Sequence, residues 1–237
     1  MTSTDVQRPD AKIARPIWVF AEERSGSTWL TDTLCLLLNR RHAYIEMDRE
    51  EIDDDGWAAI VGHDPVAYSA ADCVFQTHRF AILKSVCGAP MLLRTTRRNR
   101  LEHVLSALFL DRIRQATPEF WRFPHVFRSR GTAAFQHVVR RASGSTVEQH
   151  EIETHFAKMR SRDALWNEYS KAHDAQTIFY EDLFLGVQVP ALRLSLSFSM
   201  PSDYIKLPYD KRSVFSNYEQ IVEWVGEHET RLAQRNF

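Results

Sequence analysis

Residues 16–22, PIWVFAE, are apolar and aromatic from Pro16 to Ala21, with no polar alternation. A strand with one wet face alternates polar and apolar side chains, so a run like this needs cover on both faces. The same character recurs in DCVFQTH (72–78), PMLLRTT (90–96) and AQTIFYEDL (175–183), and more weakly in HAYIEM from His42. Helical spacing follows the first run, at Trp29, Leu30, Thr33, Leu34 and Leu37. It follows the PMLLRTT run too, at Leu101, Val104, Leu105, Leu108 and Ile113. Strand and helix in alternation predict an α/β protein with a central parallel sheet covered on both sides.

The remaining segments are less regular. Residues 46–56 read as an acidic loop, and 115–147, with Pro118, Pro124, Gly131 and Gly144, as a mostly irregular excursion. A short helix is expected near 132–141, a polar helix over 148–173, and helical and irregular segments after the last strand. A polar lead over 1–15 has no apolar core and reads as disordered, without a signal peptide. Residues 16–237 are expected to form a single domain in which 115–173 is an insertion. Nothing approaches the ~18 consecutive apolar residues of a membrane span, and the chain reads as cytoplasmic. The oligomeric state stays open.

Charge narrows the partners. The net charge is −1, although basic residues cluster in RTTRRNR (94–100) and at Arg122, Arg128, Arg130, Arg140 and Arg141. A neutral total with local basic patches suits a small polyanion better than a nucleic acid polymer. Cys35, Cys73 and Cys87 are too scattered for a zinc site or a disulfide framework. The histidines of HEIETH (150–155) are five residues apart, about 140° around a helix, so they cannot share a metal. The run DREEIDDD lacks the glycine and spacing of a calcium loop. No metal is expected.

FAEERSGSTWL (20–30) places a turn between the first strand and its helix. That order delivers Arg24, Ser25, Gly26, Ser27 and Thr28 to a helix N-terminus, where unbonded N–H groups and the helix dipole favour an anion. Glycine lets the backbone curl closely, the hydroxyls add donors, and arginine adds a charged fork. No lysine follows the glycine, so this is not a Walker A loop. An ordinary Ser/Thr-capped helix start fits the same residues. LLRTTRRNRLEHVLSALFL (92–110) repeats the strand–turn–helix order, with Arg98 at the turn and Ser106 eight residues on. Eight residues turn ~800°, which leaves Ser106 on a flank of the helix within reach of a group held by Arg98. Two anion sites on neighbouring strand–helix units predict a ligand with two separated phosphates at the carboxyl edge of the sheet.

RSGSTWL (24–30) resembles the 5′-phosphosulfate loop of sulfotransferases that use 3′-phosphoadenosine-5′-phosphosulfate (PAPS), and RRNRLEHVLSALF (97–109) resembles their 3′-phosphate motif. The wording around RRNR is most similar to small bacterial carbohydrate-type sulfotransferases. VFQTH (74–78) and IFYEDL (178–183) resemble further family segments in the same order, as SNYEQI (216–221) does more loosely. The resemblance implies a P-loop-NTPase-like, three-layer α/β/α sandwich. It implies PAPS as sulfuryl donor, adenosine 3′,5′-bisphosphate as product, and a small-molecule acceptor whose pocket is shaped by 42–60 and 115–173. Arg24 would contact the 5′-phosphosulfate, Ser25, Gly26, Ser27 and Thr28 would cradle it, and Trp29 would stack on adenine. Arg98 and Ser106 would hold the 3′-phosphate, with Tyr180 near the nucleotide.

For the acceptor's proton, His78 is the first candidate base, Glu46 the second and His42 the third. Core positions for Trp29, Tyr180 and His78 remain the competing readings. Three features depart from the family: Glu22 and Glu23 precede the loop, Gln76 stands where cytosolic relatives keep lysine, and the glycine-rich C-terminal clamp is missing. Lys206, Lys211 or Arg212 are the basic residues available in its place. A kinase or NTPase on the same fold, and a non-catalytic nucleotide-binding protein, are the alternatives.

Overall fold

Strand β1 (Ile17–Ala21) is the middle strand of a five-stranded parallel sheet. In the computed structural model, which describes residues 15–22, 25–45, 53–117, 133–196 and 211–235, the order is β2-β3-β1-β4-β5. The other strands are β2 (Arg41–Tyr44), β3 (Cys73–Thr77), β4 (Met91–Thr96) and β5 (Asp174–Phe179). Every residue of β1, β3 and β4 is buried, the polar Gln76, Thr77, Arg94, Thr95 and Thr96 included. Registry sets Phe20 beside both Thr77 and Arg94, and Ala21 beside Thr95.

Chirality assigns the covering layers. The step from β1 to β2 moves one way along the sheet, and the steps β2 to β3, β3 to β4 and β4 to β5 all move the other way. Right-handed crossovers then put the first connection on one face and the next two on the opposite face. The packing agrees. Helix α1 (Ser27–Leu38) lies against β1, β2 and β3, burying Leu30 and Leu34. On the other face Trp18, Phe20, Phe75 and Leu92 form one cluster with Trp57 and Val61 of α2 (Asp54–His63). Phe80 and Ile82 of the 3₁₀ turn Phe80–Lys84 join it, with Trp166 of a later helix. Trp18 stacks on Phe75 with ring centroids 4.8 Å apart.

The chain divides into two compact units, 1–98 with 160–198, and 99–159 with 199–237. The first holds the sheet and the antiparallel hairpin of β6 (Val187–Val189) and β7 (Leu194–Leu196). The second is helical: α3 (Arg100–Ala116), α4 (Ala133–Ala142), the start of α5 (Gln149–Tyr169), α6 (Lys211–Val214) and α7 (Tyr218–Arg235). Its core is Val104, Leu105, Leu108 and Phe109 with Phe156, Val214, Phe215 and Ile221. Arg112 grips Glu151 through two 2.8 Å bonds in fork geometry. Among the described residues no helix is long and apolar enough to cross a membrane.

Several boundaries differ from the sequence reading. The acidic stretch becomes helical from Asp54, because Asp53 accepts the Gly56 N–H at 2.8 Å as an N-cap and Trp57 and Val61 supply a buried stripe. Strand β5 stops at Phe179, and YEDL coils into the 3₁₀ turn Tyr180–Phe184. The helix expected to reach 173 ends at Tyr169. The β6–β7 hairpin, closed by Arg193 in the left-handed region (φ 53°), had no counterpart in the reading.

Leu93 is fully buried in β4, on the face opposite Leu92. Leu93→Ala is expected to cost about 2–5 kcal/mol in urea unfolding, through lost transfer energy and the cavity left behind. A loss under ~1 kcal/mol would mean that this layer is not close-packed.

Candidate anion-binding site at the carboxyl edge of the sheet

Because the strands are parallel, their carboxyl ends share one edge. The chain leaves β1 toward β2 and leaves β4 toward β5, so the gap between β1 and β4 is the topological switch point where α/β sheets bind ligands. Residues from the turns after β3, β1, β4 and β5 line up along this edge. His78, Ser25 to Thr28, Arg98 and Tyr180 all belong to the sheet unit.

The turn after β1 is tied down from beneath. The Glu22 N–H donates to the Thr95 carbonyl at 3.1 Å, and the Glu22 carbonyl accepts from the Ser25 N–H at 3.3 Å. Ser25 is fully buried; its hydroxyl donates to the same Glu22 carbonyl at 2.6 Å. That proton is committed, so Thr95 Oγ1, 2.6 Å away, is the donor in the second bond. The Ser25 hydroxyl and backbone N–H are therefore both spent on holding the turn.

Gly26 is the N-cap of α1, at φ 80° and ψ 12°. That left-handed conformation is where glycine costs least. With no side chain it provides no capping bond, whereas Asp53 caps α2 and Asn99 caps α3, the latter at 2.9 Å to Glu102 N. The serine-capped helix start admitted by the sequence is thus not the one adopted. Thr28 is exposed on the first turn, and Ser27 is buried with its hydroxyl 3.2 Å from Gln76 Nε2. Gln76 is 2 % exposed, and its Oε1 has no hydrogen-bond partner. That oxygen only accepts and would suit a ligand O–H or N–H, whereas the Ser27 hydroxyl, which accepts from Gln76 Nε2, keeps its own proton for a ligand oxygen.

His78 follows β3 directly, with Nδ1 2.7 Å from the Ala21 carbonyl oxygen. A carbonyl oxygen only accepts, so Nδ1 carries a proton and the neutral ring holds its lone pair on Nε2. The Tyr44 ring meets the imidazole edge-on at 6.0 Å. His42 sits lower, opposite Val74 on β2, with Nδ1 3.4 Å from Asp32. It is three residues short of the level of Thr77.

At β4 and β5 the charges meet. Arg98 grips the Asp182 carboxylate in a fork, one arm at 2.7 Å, and its N–H donates to Glu181 at 3.0 Å. Its guanidinium also lies 4.1 Å from the Phe179 ring centroid, while Arg97 covers Tyr180 at 4.2 Å. The bond from Arg98 holds the Asp182 carboxyl below its usual range, and the bond from Asp182 raises Arg98.

Trp29 is buried at 8 % exposure, a core position behind the turn. Ser106 is buried on α3 and, unlike Arg98, belongs to the helical unit, as do Lys211 and Arg212. Arg24, Glu46, Glu23 and Lys206 lie outside the described residues. Among the described residues no three His, Cys, Asp or Glu side chains gather as a metal would need.

The sequence did not show which arginines two acidic residues would meet. Asp182 was visible only as part of a YED segment. Glu22 meets Arg94 at the end of β1: Arg94 Nε donates to Glu22 Oε1 at 3.0 Å, and an Nη contacts the same oxygen and also Asp163 of α5. Opposite charges inside two apolar strands were the available signal for that pair. No family model matches the chain, and neither a curated protein nor a solved structure matches it.

The Arg98–Asp182 pair gives a pH test with a definite sign. A depressed carboxyl pKa means that the link persists above the ordinary carboxylate range and is lost only as pH falls through the lowered value. In NMR titration, Arg98→Met is expected to move the Asp182 midpoint upward, toward the ordinary value. An unmoved midpoint would show that the fork does not form in solution.

Proposed function

We propose that this chain is a sulfotransferase that moves the sulfuryl group of PAPS to a hydroxyl or amine of a small molecule, such as a sugar or a secondary metabolite. In this reading the sheet and its helices make a P-loop-NTPase-like sandwich. The observation that carries it is the glycine-capped start of α1 at the switch point, with the Ser27 hydroxyl, whose proton is not used by Gln76, beside it.

The residues suit a phosphate-type group. Gly26 has no Cβ to keep it away, and the first N–H groups of α1 point along the helix axis toward the edge. Such N–H groups are held by the backbone, so they need no reorganisation when charge develops on a departing phosphate. Bound at this edge, the donor supplies an activated sulfuryl group and a bisphosphate leaving group. Ser27 and Gln76 hold one side of the turn, and Ser25 with Thr95 holds its base. Arg98 would take the second phosphate by exchanging Asp182 for it, both partners being reachable by solvent. His78 would receive the acceptor's proton on Nε2, its Nδ1–H being anchored on Ala21. That anchor also keeps the ring aimed while it becomes charged.

An acceptor screen with radiolabelled donor tests the reaction class. His78→Ala is expected to lower turnover by about 10²–10⁴-fold while affinity for adenosine 3′,5′-bisphosphate in isothermal titration stays within about twofold. Unchanged turnover would move the base to Glu46. Arg98→Ala should weaken bisphosphate binding by about tenfold, the loss of a charge-assisted pair. Magnesium-dependent turnover of ATP without sulfuryl transfer would instead indicate a kinase or NTPase.

A further inference from the structure

Glu22 is fully buried and stands four residues before the glycine that caps α1. A carboxylate there works against any anion at the turn, and in a buried setting little solvent screens it. Its side chain shares a sheet face with Trp18 and Phe20, where the cluster of β1, β3, α2 and the 3₁₀ turn would otherwise be apolar. Arg94 lies on the neighbouring strand, level with Phe20, and reaches the same pocket.

Arg94 has three attachments. Two nitrogens meet Glu22 Oε1, one of them also meets Asp163, and the guanidinium lies 5.5 Å from the Phe80 ring centroid. Arg162 faces the same ring at 5.7 Å. Burial works to lower the Arg94 pKa, but the Glu22 charge and the bonds to Glu22 and Asp163 outweigh it, so the guanidinium stays charged. The backbone of Glu22 is meanwhile the base of the turn, bonded to Thr95 on one side and to Ser25 on the other.

We propose that Arg94 is a positioning residue for the anion turn: it neutralises Glu22 and draws that carboxylate down toward the α2 face, which leaves the turn fit to hold a phosphate or sulfate group. The proposal rests on reading the turn as an anion site, and Arg94 touches no ligand in it. The same pair explains how an acidic residue can stand at the entrance of an anion loop without abolishing it.

Titration calorimetry with inorganic pyrophosphate and with sulfate tests the idea on four proteins: wild type, Arg94→Met, Glu22→Gln and the double variant. Folding of each is checked by circular dichroism. Exposing the Glu22 charge should penalise an anion in proportion to its own charge. Arg94→Met is therefore expected to lose about tenfold in pyrophosphate affinity but only about threefold for sulfate. The double variant, with neither charge, should return to within about threefold of wild type for both.

If Arg94→Met does not fold, Glu22→Gln decides: its pyrophosphate affinity should rise by about two- to threefold and its sulfate affinity by less. Equal losses for both anions, a double variant as weak as Arg94→Met, or no gain in Glu22→Gln where that variant decides, would overturn the proposal. So would a wild-type protein that binds neither anion. Adenosine 3′,5′-bisphosphate is titrated alongside. Wild type that binds pyrophosphate but not this nucleotide defeats the sulfotransferase reading, and Arg94 is then judged on the two inorganic anions alone.

Discussion

Where β1 ends, Arg94 of β4 and Glu22 meet inside the sheet unit, and the backbone beside them is bonded from Glu22 to Thr95 and from Ser25 back to Glu22. Both side chains are almost completely buried. Removing one partner of such a pair typically costs about 3–5 kcal/mol, since the other charge is left stranded. The pair thus constrains two things together. It holds β1 against β4 at the level where the strands end, and it sets the point from which the turn to α1 departs. The geometry of Gly26, and with it the direction of the first turn of α1, follows from that fixed base.

Carboxylates meet two of the arginines described near this edge. Arg94 answers Glu22 and Asp163, and Arg98 answers Asp182 and Glu181. The two pairs differ in their surroundings. The inner one is shut off from water and, with Asp163 as a further partner of Arg94, acts as a fixture. The outer one is half in solvent, where an ion pair is worth little and a phosphate can compete for the guanidinium on good terms. Among the described residues, Glu22 and Asp182 near this edge are thus each held by an arginine.

Much of the sheet was legible from the chain. PIWVFAE, DCVFQTH and PMLLRTT each contain consecutive apolar residues without polar alternation, and only a strand covered on both faces makes use of that. The glycine of RSGSTW also pointed to its turn, since few other residues accept φ near 80°. Less legible was what individual polar residues do. Ser25 looked like a ligand donor and is instead bonded to Glu22 and Thr95; His42 looked like a candidate base and lies below the edge beside Asp32. Polar side chains find partners across strands, and nothing local in the chain records those partners.

By itself the order of residues determined the strands of the sheet, that they run parallel, and that a turn containing a glycine would lead from the first strand into a helix. Those properties follow from periodicity and backbone sterics, which act over a few residues. Only the tertiary structure decided that β1 lies between β3 and β4, that Glu22 is answered by Arg94, that Arg98 holds Asp182, and that His78 leans its Nδ1 on Ala21. Each of those joins residues 57 to 84 positions apart, where pairing is set by packing and by the cost of leaving a buried polar group unmet.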